Sequence, residues 1–336
     1  MPGRLEIVDA RDRRERSACA YAVVQELLRQ GRRVAWIAPS PDIALAVKRH
    51  LADAGKGLAG VEVATLDTWA AGHWTLYGDG RKPVSSLQRR ILVKKVLDEG
   101  VWTSAALASA GMVESVAGIV RAGAGLEAFE GGAEQIAGVA ELTAAQRELM
   151  GACQTYFALL QEHGLIEPGT VMRVLARTMP EAGWQHLVLD GCWNLEGSAV
   201  ELASAACEHA GVTLVGCLGD NAAFEPEREV AARIADAARK RGVEVVRAAG
   251  EALVEQGDDL LKLHVPARSP ELIDLANALF GTEQTEPVAA TGALRACMPA
   301  GRYAEGALLA QQVGQLVEVD GIAPREIVVV ARNPPA

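Results

Sequence analysis

Three short stretches carry residue types at spacings that suggest nucleotide chemistry. The first is Ala10-Arg11-Asp12-Arg13-Arg14-Glu15-Arg16-Ser17, which follows the apolar run Leu5-Glu6-Ile7-Val8 and leads into an amphipathic stretch. A phosphate loop, G-x-x-x-x-G-K-[ST], sits at such a strand-to-helix junction. Its glycines let backbone N–H groups turn inward to phosphates, and its lysine adds a compact charge. Here Ala10 and Glu15 stand at the glycine positions and Arg16 at the lysine position, leaving Ser17 as the one residue of the expected type. Glu15 would set a carboxylate against a polyanion, and a guanidinium is no simple replacement for an ammonium. Taken alone, the stretch reads as a charged strand–helix connection rather than a phosphate loop.

The second stretch, His186-Leu187-Val188-Leu189-Asp190, is an apolar strand ending in aspartate, the form in which a carboxylate holds the Mg²⁺ of a bound nucleotide. Gly191 follows, where a hydrolase would place a glutamate to activate water. The third, Leu214-Val215-Gly216-Cys217-Leu218-Gly219-Asp220-Asn221, ends in a Gly-Asp pair that is either a sensor position or a plain turn.

Other chemistries find little support. The six cysteines show no CxxC pairing, and Cys207 and His209 lack a second ligand pair, so buried reduced thiols are expected rather than a metal site. The histidines are scattered, and no metal cluster or catalytic dyad is expected. The net charge of −10 argues against indiscriminate nucleic-acid binding. Charge is uneven, however: residues 1–100 hold 17 Lys and Arg against 12 Asp and Glu, and the remainder 16 against 31. Arg81, Lys82, Arg89, Arg90, Lys94 and Lys95 precede the next acid, Asp98. They form either a solvated helix face or a phosphate-contacting surface.

The elements that must position these residues alternate. Leu5–Val8, Arg33–Ala38 and Val61–Thr65 read as strands, with helices over 17–30 and 42–54 between them, a βαβαβ rhythm that predicts a parallel sheet. From about 75 to 182 apolar residues recur at helical spacing and no convincing strand is read. Strands return at 186–190 and 212–218, joined by a helix at 196–210, with a further helix at 227–241 and a strand at 243–246. A last βαβ-like unit is expected from strands at 292–297 and 326–331 around a helix at 302–319. Its domain stops there unfinished, as in a fragment of a longer chain. With only 4% aromatic residues, the core must rest mainly on Ala, Val and Leu. No apolar stretch approaches the ~18 residues of a membrane span, and the N-terminus carries no apolar signal region, so a cytoplasmic protein is expected.

The order of these pieces resembles the UvrD-like superfamily 1 helicases, and within them the AddB/RexB subunit and its relative RecC of bacterial repair helicase–nucleases. "RVAWIAPSPDIALAVKRHL" (33–51) resembles the second strand and motif Ia, and "VEVATLDTWA" (61–70) the element after it. Met150–Leu175, with "YFALLQEHGLIEPGTVMRVL", is similar to a segment of the family's helical insertion. "HLVLDGCWNLE" (186–196) takes the Walker B place and 214–224 that of motif III, with Ala223 where its glutamine belongs. Residues 294–332 look like the approach to a second motor domain.

The resemblance implies an α/β, RecA-like fold: a parallel sheet over 1–74 and 183–285, a helical insertion over 75–182, and the start of a second α/β domain at 286–336. It implies a catalytically dead motor half that binds or guides DNA, as a single strand or duplex end, beside an active AddA-type helicase–nuclease subunit. No membrane role, ATPase or nuclease activity is expected of this segment, and no cofactor unless the degenerate site (Ala10, Glu15, Arg16, Ser17, Asp190, Gly191, Asp220, Ala223) still takes ATP and Mg²⁺. DNA contact is expected from Pro39, Ser40, Thr65 and Trp69, whose indole would stack on bases or else pack beneath the helical segment. The basic set from Arg81 to Lys95 is the second candidate. An acidic protein–protein scaffold without DNA contact is the alternative.

Overall fold

The computed structural model describes residues 3–53, 60–103, 111–123, 143–178, 185–251 and 294–330, with a few residues between 271 and 292. Six strands form one wholly parallel sheet: β1 (Arg4–Asp9), β2 (Val34–Ile37), β3 (Val61–Ala64), β6 (His186–Asp190), β7 (Gly211–Gly216) and β8 (Glu244–Ala249). Their order is β3-β2-β6-β7-β1-β8. The register sets Leu5 beside Val212, Leu187 beside Val212 from the other side, and Ala35 beside Leu187. Strands β2 and β6 are buried at every residue, as continuous apolar runs covered by helices on both faces must be.

Helices α1 (Arg13–Arg29) and α2 (Pro41–Asp53) cover one face, where Cys19, Val23, Val24 and Leu27 meet Trp36, Val188 and Val215. The other face is covered by α3 (Leu66–Tyr77), α7 (Pro168–Thr178), α8 (Gly197–His209) and α9 (Glu225–Lys240), through Trp69, Leu175, Leu202 and Ile234. Helices α4 (Ser86–Glu99), α5 (Met112–Gly123) and α6 (Ala144–Glu162) build a separate cluster around Val93, Val116, Val120 and Tyr156. The segment is thus helical as expected, with one addition: β4 (Lys82–Pro83) and β5 (Leu165–Ile166) pair in parallel. A two-residue bridge carries no readable alternation.

The chain divides into two compact units, one of Met1–Pro266 with Phe280–Thr282 and one of Ala267–Leu279 with Glu283–Ala336. The first holds both the sheet and the helices of the 75–182 segment. The second contains α10 (Arg302–Glu318) and a short 3₁₀ turn at Pro324–Glu326. The expected strands at 292–297 and 326–331 are not formed over the described residues 294–299 and 327–330. Val328 and Val330 stand exposed: an apolar run becomes a strand only against a hydrogen-bonded neighbour, and no described residue pairs with these.

His186 opens β6, buried, with Nε2 2.9 Å from Thr213 Oγ1. Burial, then the charge of Arg32, pushes its imidazole down from 6.5 to about 4. The unfolded chain takes up this proton near 6.5 and the folded one resists it, so stability should fall as pH drops from 6.5 toward 4. His186→Gln should flatten that part of a urea-derived stability curve; an unchanged slope would contradict this origin.

Candidate functional site

The β1–α1 junction decides the fate of the first motif. Helix α1 begins at Arg13, not at 17, so only Ala10, Arg11 and Asp12 separate strand from helix. Ala10 still belongs to the ladder, its N–H donating to Gly216 O at 2.9 Å. Without glycines there is no wrapped loop, and the helix-favouring run Arg13-Arg14-Glu15-Arg16 lets α1 propagate back toward the strand. Asp12 caps it: its Oδ1 accepts from Glu15 N at 2.8 Å and its carbonyl from Arg16 N at 2.9 Å. The end of the helix that would face a phosphate therefore already carries a carboxylate of the chain. Ser17 turns inward to its own helix, donating to Arg13 O at 3.1 Å. Glu15 pairs with Arg11 at 3.2 Å.

Arg16, now in the first turns of α1, is buried and points to the carboxyl end of β6. Its Nε lies 3.1 Å from Asp190 Oδ1, and its Nη1 3.2 Å from Glu227 Oε1. The other Asp190 oxygen, Oδ2, accepts from the indole of Trp36 at 3.3 Å. Glu227 Oε2 accepts from Cys217 N at 2.7 Å. One guanidinium thus serves two carboxylates, all three side chains less than a tenth exposed. Burial holds the Asp190 carboxyl above its ordinary value, Arg16 and the Trp36 hydrogen bond oppose this, and Glu227 adds to the rise.

Gly191 belongs to the same arrangement. Its φ is +59°, and a Cβ there would lie 2.4 Å from Arg16 Cζ and Nη1. A side chain at this position would have to displace the Arg16 guanidinium and hold a left-handed backbone. The residue types at 16 and 191 are thus coupled through this one contact.

The remaining sensor candidates lie apart from this group. Asp220 and Ala223 are exposed, in a turn and a 3₁₀ helix (Ala222–Phe224) capped by Asn221, whose Oδ1 accepts from Ala223 N at 2.8 Å. The acid that joins Asp190 is Glu227, which the sequence reading missed. Its signal was present: Glu227 occupies the apolar stripe of α9 with Val230, Ala231, Ile234, Ala235 and Ala238. The thiols nearby are pushed up to about 12, Cys192 by burial and then by Asp190, and Cys19 by burial and then by Glu15. They offer no nucleophile at neutral pH. Among the described residues no group of three or more His, Cys, Asp or Glu could hold a metal ion.

A second, open site lies along the same edge of the sheet. A cleft of about 300 Å³ runs over the carboxyl ends of β2, β3 and β6, where ligands of open α/β sheets bind. Ala38 and Pro39, Thr65, and Cys192 to Glu196 line it from the strands, and Ser86, Arg89, Arg121 and Gly169 from the helical side. Pro39 and Thr65 line this cleft, and the Thr65 hydroxyl caps α3, accepting from Thr68 N at 3.3 Å. Ser40 likewise accepts from Ile43 N at 3.3 Å.

Two of the expected contacts are corrected. Trp69 is fully buried beneath α7, because α3 turns that face onto the sheet, so its indole has no face for a base. Arg89 is buried in a fork-to-fork pair with Glu167, at 2.8 and 2.7 Å, and Tyr156 donates to the same carboxylate. The rest of the basic set is largely engaged: Arg81 with Asp79, Arg90 with Glu114, Lys94 with Asp98. Lys82 and Lys95 are exposed. The exposed aromatic of the cleft is Trp193, at 54%. A lone tryptophan just past an apolar strand carries no mark of exposure in the sequence.

No family model and no curated protein matches the chain. No helix among the described residues is long and apolar enough to cross a membrane.

Removing the Arg16 guanidinium leaves two carboxylates buried together. Arg16→Ala should cost ~3–5 kcal/mol in denaturant unfolding, the penalty of breaking one side of a buried ion group. Adding Asp190→Asn should restore part of this loss, because the two changes share one interaction. Strict additivity of the two losses would contradict the coupling.

Proposed function

We propose that the chain is an inactivated superfamily 1 helicase-like subunit of AddB/RexB type. It binds or guides DNA beside an active helicase–nuclease partner of AddA type in double-strand-break repair, without hydrolysing ATP itself. The observation that carries this reading is the Arg16–Asp190–Glu227 group, which fills the place between β1 and β6 where a nucleotide and its metal would act. The parallel sheet, with β7 between β1 and β6 and a helix after each of β1, β2, β3, β6 and β7, is compatible with a RecA-like motor fold. A site filled by the protein's own charges, next to an open cleft on the same edge, suits a subunit that keeps the binding half of a motor and has lost the other.

In this reading the DNA runs over Pro39, Thr65 and Trp193, with Lys82 and Lys95 as outer contacts. A protein-binding scaffold is the second reading, favoured by the net charge of −10 and by the ion pairs that occupy Arg81, Arg90 and Lys94. Fluorescence anisotropy with labelled single-stranded and forked oligonucleotides separates the two. Binding should weaken as salt rises, and Trp193→Ala should lose about 1–3 kcal/mol, the worth of one stacked base. Failure to bind either oligonucleotide at low salt would exclude the DNA role and leave the scaffold.

A further inference from the structure

The filled site and the open cleft are joined by one short turn. Gly191 follows Asp190 directly, and its N–H donates to Val215 O at 2.8 Å. The Arg16 guanidinium lies against the Gly191 backbone so closely that a Cβ would not fit between them. Cys192 is buried, and the next two residues, Trp193 and Asn194, are exposed and line the cleft. The far end of the turn is tied as well. Arg233 donates to Leu195 O at 3.1 Å, and Arg121 pairs with Glu196 at 3.3 Å, just ahead of α8. The turn is thus held at both ends, and its upstream tie is the residue that occupies the lysine position of a phosphate loop.

We infer that Arg16 is a positioning residue: clamped between Asp190 and Glu227, it holds the Gly191–Glu196 turn so that Trp193 faces the cleft permanently, with no nucleotide needed. The guanidinium contributes two things at once. Its charge neutralises Asp190, and its flat fork packs on a glycine that any other residue would displace. A lysine would keep the charge and lose the plane. The inference rests on the DNA reading for the purpose of Trp193, but the mechanical link from Arg16 to Trp193 stands apart from it.

The test is ¹⁹F NMR of the full chain labelled with 5-fluorotryptophan, in which Trp193→Phe assigns its own signal. Arg16→Lys should displace or broaden the Trp193 signal while those of Trp74 and Trp102, in other parts of the first unit, stay in place. The double variant Arg16→Met with Asp190→Asn removes cation and anion together and keeps the test open if the lysine variant does not fold. It should move the same signal. Mg·ATP added to the unaltered protein should leave Trp193 where it is. A Trp193 signal unmoved in a folded Arg16 variant, equal displacement of all the signals, or a response to Mg·ATP would each overturn the inference. Oligonucleotide affinity of the lysine variant should fall about fivefold or more, the lower range of a coupling between two sites. If the unaltered protein binds no oligonucleotide, the DNA reading fails, while the displaced Trp193 signal still establishes the positioning role.

Discussion

A single guanidinium shared by two buried carboxylates organises the carboxyl edge of this sheet. Arg16 comes from α1, Asp190 from β6 and Glu227 from α9, and Glu227 in turn receives the N–H of Cys217 just past β7. Each ion alone would be strongly disfavoured so far from water. Together they are tolerable because opposite charges meet at 3.1 and 3.2 Å and the Trp36 indole and the Cys217 N–H donate to the two carboxylates. The neighbouring residues follow from this. Trp36 is oriented by its hydrogen bond to Asp190, Gly191 must lack a side chain, and Asp12 closes the helix that brings Arg16 into place.

The edge consequently carries two sites of opposite character. Above β1, β7 and β6 the chain supplies its own cation and anions. Above β2, β3 and β6 the edge opens into the cleft that Trp193 and Arg121 border. Strand β6 serves both, with Asp190 facing one and the residues after Gly191 facing the other. The buried fork between Arg89 and Glu167 ties the helical cluster to the start of α7 and so fixes the opposite wall of the cleft.

Much of the fold was legible in the sequence. The buried strands β2, β6 and β7 announce themselves as apolar runs, and α2, α8 and α9 by their spacing, because burial on both faces of a parallel sheet leaves a local signature. The start of α1 is not legible from the phosphate-loop pattern, which presumes a wrapped conformation that needs glycine, whereas Arg13 to Arg16 continue the helix. Arg89 and Trp69 look the same in sequence whether they face solvent or core. Their burial depends on which way α3 and α4 turn against α7, which is a tertiary choice. Glu227 was recoverable: a lone acid on an otherwise apolar helical stripe demands a buried cation, and Arg16 was already singled out. The valines of 328–330 had strand propensity without a partner, and propensity alone does not make a strand.

Under the proposed function the chain's own charges fill the place that a nucleotide and its metal would take. Isothermal titration of Mg·ATP into the protein tests this most directly. The account predicts no saturable heat at millimolar nucleotide. Saturable binding that Asp190→Ala abolishes would contradict it, since Asp190 would then be holding a metal instead of Arg16.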